Sequence, residues 1–151
     1  PAPRSRVRGP WPFRVWRFVD AMVDALNDND LTAFVCAAGL MAHYVGDACQ
    51  PLHGSVLADG RKNGKGKGVH SAYETTMIDH QAENIVTGLR TVLPGTQQPL
   101  LVQTGQQTAD ASVMLMARAA KAVDPEALVV AYAATAGGQS KGVTSGLWSK
   151  C

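Results

Sequence analysis

Apolar residues recur every three or four positions over most of the chain, the spacing of helices that bury one face. From Trp11 to about Leu26, Phe13, Trp16, Val19, Val23 and Leu26 fall on one stripe. Asn27, Asp28, Asn29 and Asp30 break the pattern, and Asp30 is placed to cap the next helix. A second helix is predicted from about Leu31 to Ala48. Phe34, Val35, Ala38, Leu40, Met41 and Val45 make it apolar on most sides, as in a central, buried helix. Gly39 and Gly46 each weaken such a helix by about 1 kcal/mol relative to alanine, so they predict close approach of a neighbouring backbone or of a metal site. Pro51 cannot continue it.

A Gly/Lys-rich stretch, GSVLADGRKNGKGKGV, predicts a loop over residues 54–69. A third helix is predicted from about His70 to Leu89, then a loop with Pro94, Gly95 and Pro99. A fourth helix fits about Thr108 to Val123 with Val113, Leu115, Met116 and Ala119 inward. Asp124 as cap, Pro125 at the first position and Glu126 in the first turn announce a fifth helix, to about Thr135. Gly137 and Gly138 end it. No strand alternation and no internal repeat stand out. The predicted fold class is all-α, a multi-helix bundle. Residues 1–10, PAPRSRVRGP, are basic and proline-rich with no apolar period, and read as a flexible arm before a domain over 11–151.

The chain has 151 residues, 46% apolar and 17% charged, enough for one packed domain and too apolar for wholesale disorder. A net charge of +2 does not by itself argue for nucleic acid or membrane. No run of 18 apolar residues predicts a membrane-spanning helix. Cys36, Cys49 and Cys151 lack CxxC spacing, which indicates neither a disulfide framework nor a thiolate zinc site; Cys36 reads as a buried free thiol.

The candidate chemistry lies in two strings, HYVGDACQPLH and GVHSAYE, which hold three of the four histidines. His43 and Asp47, and again His70 and Glu74, sit four residues apart, which on a helix puts each pair on one face. His53 follows the Pro51 turn and can fold back. Imidazole nitrogens and carboxylate oxygens bind zinc at about 2.0–2.2 Å. The predicted metal ligands are therefore His43, Asp47, His53, His70 and Glu74, gathered at a metal site between helices. His80, six residues past Glu74, reads as a solvated surface histidine, and Tyr44 and Tyr73 as packing residues. Arg61, Lys62, Lys65 and Lys67 could attract an anion, although a solvated loop accounts for them as well.

The two strings resemble the zinc-dependent phospholipase C and single-strand-specific zinc nuclease superfamily. HYVGDACQPLH is similar to its HxxxDxxxxxH signature with the QPxH turn, and GVHSAYE to the HxxxE element that follows. The resemblance implies an all-α bundle holding up to three zinc ions and hydrolysing a phosphodiester with zinc-activated water, the substrate being single-stranded nucleic acid or a phospholipid head group. His43 would bind one of a close zinc pair and Asp47 would bridge it. His53, His70 and Glu74 would hold the remaining ion, and Asp47 and Glu74 would serve catalysis. The family habit is secretion or periplasmic export. The family's N-terminal tryptophan ligand and its upstream histidines and aspartate have no counterpart here. That implies a partial domain, with a zinc-binding helical fragment inactive on its own as the alternative.

Overall fold

A computed structural model of the protein describes residues 11–93, 101–135 and 141–151. The basic arm, the Pro94/Gly95/Pro99 loop and the Gly137/Gly138 stop lie outside the described residues. All regular structure within them is helical, and the only strand-like feature is an isolated bridge between Ala58 and Gly60. The helices are α1 Trp11–Asn27, α2 Leu31–Ala48, α3 Val69–Ser71, α4 Ile78–His80, α5 Ala82–Val92, α6 Gly105–Ala122, α7 Pro125–Ala134 and α8 Lys141–Trp148. A π-helical turn, Ala72–Met77, joins α3 to α4. The chain divides into two compact units. One holds residues up to Cys49 with Leu101–Leu115; the other holds Gln50–Leu100 with Met116–Cys151.

In the first unit α1 and α2 form an antiparallel hairpin. The Asp30 carboxylate caps α2 by accepting from the Ala33 amide at 2.9 Å, as the sequence predicts. The buried faces differ from the predicted ones. α1 buries Val15 and Ala25, while Phe13, Val23 and Leu26 of the predicted stripe are exposed. Its sequence is apolar at more than one phase, and the partner's aromatics select among them. Tyr44 packs edge-on to Trp11 at 5.0 Å and tilted against Phe18 at 5.5 Å, with its hydroxyl hydrogen-bonded by Arg14.

α2 is not a buried central helix: only Ala37 and Ala48 are buried, and Leu31, Val35 and Leu40 are exposed. Among the described residues nothing comes close enough to Gly39 or Gly46 to require glycine. Cys36 is likewise exposed rather than buried. By length and composition α2 is the one described helix that could cross a bilayer, a test that core helices of globular proteins and signal sequences also pass.

Helix α6 turns a small polar face inward instead of Val113. Thr108 and Ser112 are buried because their hydroxyls donate to carbonyls one turn back, Thr104 at 3.0 Å and Thr108 at 2.8 Å.

The second unit has the larger core. Leu52, Val69, Ala72, Tyr73, Met77, Leu128, Val129, Tyr132, Val143 and Leu147 form one buried cluster. Asp124 caps α7 through the Glu126 amide at 3.0 Å, with Pro125 at the first position, as predicted. The predicted third helix is interrupted: Gln81, at φ −110° and ψ 10°, separates α4 from α5. The predicted loop over 54–69 is built of turns as far as Gly68, and α3 begins at Val69. Gly66, at φ +77°, lies so close to Val129 that a Cβ would come within 2.7 Å of its Cγ1. Gly68, at φ +94°, starts α3, and its amide donates to Asp59 at 2.9 Å. Only glycine combines that backbone with that proximity.

Candidate metal centre

His53, His70 and Glu74 converge in the second unit, each placed by the core beneath it. His53 follows the tight turn that its own amide closes on the Gln50 carbonyl at 3.1 Å, with Pro51 and Leu52 buried. Leu52 is fully buried in the core cluster and anchors that turn. His70 stands on α3 between the buried Val69 and Ala72. Glu74 projects from the π-helical turn, whose neighbours Tyr73 and Met77 are in the core. Single π turns within helices often mark functional sites.

The geometry is compact. The two imidazoles stack at 4.8 Å between centroids, and their Nε2 atoms are 3.2 Å apart. Glu74 Oε2 is 2.7 Å from His70 Nε2 and 3.1 Å from His53 Nε2. Donors bound to zinc at about 2.0–2.1 Å in a tetrahedron lie about 3.3 Å apart, so these three atoms trace one face of such a polyhedron. The backbone sharpens the point. His70 Nδ1 lies 3.1 Å from the Ala58 carbonyl, which can only accept, so the Nδ1 proton is committed there. Its Nε2 lone pair then faces a second nitrogen and a carboxylate oxygen. Such a contact is relieved by a hydrogen-bond proton on His53 Nε2 or by a metal ion among the three atoms.

Glu74 keeps its charge readily. Partial burial pushes its carboxyl up, but the Gln50 amide donor and the two imidazoles outweigh that and hold it below the ordinary glutamate range. The His53 side chain is only 14% exposed and that of Glu74 41%, so the centre is fixed on one side and open to solvent on the other.

The remaining predicted ligands, His43 and Asp47, form a pair on α2 in the first unit. His43 Nε2 and Asp47 Oδ2 are 3.3 Å apart on α2, with the His43 side chain 65% exposed. The sequence thus gives the i, i+4 spacing correctly for both pairs. The structure shows a pair within one unit and a triad within the other, and among the described residues the triad is the one group of three or more donors with metal-binding geometry. His80 is not merely solvated: its Nδ1 shares a hydrogen bond of 2.9 Å with the buried Thr144 hydroxyl. Gln50 escaped the sequence reading, although it stands in the QPLH turn. Its amide donates to Glu74 Oε2 at 3.2 Å. Tyr73 is a packing residue whose phenol is pushed upward by burial and by the Cys151 thiol 3.7 Å away.

No model of a known protein family matches the chain, and no solved structure matches it. A probable serine protease of Bradyrhizobium tropiciagri is 38% identical over 159 residues, covering 93% of this chain and 20% of the relative. The chain therefore spans about a fifth of the length of the curated relative it matches. That finding overturns the expectation of a phosphodiester hydrolase of nuclease or phospholipase C type, because the relative is named for a different hydrolytic chemistry. The error has a physical source. Histidine and carboxylate one helical turn apart suggest a cation site at most, and such a site serves many reactions.

Proposed function

We propose that this chain is the metal-binding helical segment of a larger hydrolase, and that His53, His70 and Glu74 hold one zinc ion. The hydrolase part of the reading rests on the relative named as a probable serine protease, of which the chain matches a fifth. The metal part rests on a single observation: three donor atoms stand 2.7, 3.1 and 3.2 Å from one another. Two nitrogens and one carboxylate oxygen suit zinc better than magnesium or calcium, which prefer all-oxygen shells.

When bound, zinc supplies Lewis acidity and lowers the pKa of coordinated water. The protein's own residues supply the rest. The Ala58 carbonyl holds the His70 proton on Nδ1 and so presents Nε2. The buried Leu52 keeps His53 against His70. If zinc binds to these three donors alone, a fourth position would be free for water or substrate, whereas structural zinc sites close with four.

Metal analysis of purified protein after zinc loading and exhaustive dialysis tests this reading. The expected result is about one zinc per chain, which His53→Ala, His70→Ala and Glu74→Ala no longer retain through dialysis because each binds zinc more weakly. Wild-type protein that retains none, or three variants that all retain it, would overturn the assignment.

A further inference from the structure

Gln50 connects the buried core to the carboxylate of the metal centre. Its Oε1 accepts a hydrogen bond from the Leu52 amide, and its Nε2 donates to Glu74 Oε2 at 3.2 Å. The Leu52 N–H must face an oxygen, so the orientation of the amide is settled: its NH2 group is turned toward Glu74. The oxygen it meets is the same Oε2 that contacts both imidazole nitrogens.

A glutamate's terminal torsion is soft and roughly two-fold. With its side chain 41% exposed, Glu74 is not fixed by packing alone. The Gln50 amide supplies a restraint, and Leu52, with no exposed surface, supplies one for Gln50. We propose that Gln50 is the positioning residue of this centre: it sets the rotation of the Glu74 carboxylate so that one oxygen faces both Nε2 atoms. The inference rests on the zinc-site reading above, and it assigns Gln50 no contact with the metal. Residues that orient metal ligands in this way typically govern affinity by about tenfold to a hundredfold.

The experiment is a double-mutant cycle on the whole chain, with zinc affinity measured by competition against a chromophoric chelator. Gln50→Ala is expected to weaken zinc binding by about tenfold to a hundredfold while saturating at the wild-type stoichiometry. In a Glu74→Ala background the same substitution is expected to change the remaining affinity by less than about twofold, because its route to the metal is gone. A purely structural role for Gln50 would instead lower affinity equally in both backgrounds. Melting of the metal-free variants shows that they fold. Equal affinity of Gln50→Ala and wild type, or an additive cycle, overturns the role of Gln50 and leaves the zinc site standing. Wild-type protein that binds no zinc overturns both.

Discussion

The two units treat similar sequence material differently. Both carry a histidine and a carboxylate one helical turn apart, at 3.3 Å in the first unit and 2.7 Å in the second. The first pair lies on a helix that buries only two alanines, and its histidine is largely exposed. The second lies over a ten-residue buried cluster that also anchors a third donor, His53, and its helper Gln50. A metal site needs several donors held at once, and only a packed core holds side chains from three chain segments in register. Spacing sets a pair of donors; the core beneath the second pair brings a third donor to it.

The largest expected effect tests the cores. Leu128→Ala and Leu147→Ala remove fully buried side chains and are expected to destabilise the second unit by about 2–5 kcal/mol. Val35→Ala on the exposed face of α2 is expected to change stability by about 0.5 kcal/mol or less. Denaturant unfolding compares them, and equal losses would erase the contrast between the units.

Metal removal tests the two pairs. Zinc at about a hundredfold excess over its dissociation constant is expected to stabilise the protein by about 2.7 kcal/mol. Chelation should abolish that gain in the wild type. His43→Ala and Asp47→Ala should retain most of it, whereas His53→Ala should not. Loss of the zinc-induced melting shift in His43→Ala would show that the α2 pair belongs to the same centre.

The smallest effect is in pH. Glu74 has its carboxyl lowered in the folded protein. Its contribution is therefore present above the unfolded glutamate value of about 4.3 and is lost as pH falls through the folded value. In metal-free protein the acid limb of stability should be shallower in Glu74→Gln than in the wild type. Identical acid limbs would show that the Gln50 and imidazole contacts add nothing to the charged form.

The helices were legible where local signals act alone. Asp30 and the Asp124–Pro125–Glu126 start placed α2 and α7 to within a residue or so, because caps and proline act through the adjacent backbone. The break at Gln81 and the π-helical turn were not legible, since neither has a residue type that demands it. Helix α8 was missed for a related reason. Its Gly146 and β-branched Val143 and Thr144 are poor helix formers, and burial of Val143, Thr144 and Leu147 overrides that preference.

The sequence by itself determined an all-helical chain with imidazole and carboxylate paired at one-turn spacing, because helical geometry follows from local backbone chemistry. Which face each helix buries, the glycine-rich turns that present the Ala58 carbonyl, and the meeting of His53 and Gln50 with the His70–Glu74 pair were decided only by tertiary structure. Those contacts join residues 12 to 24 positions apart, and packing of the core around Leu52 and Met77 brings them together.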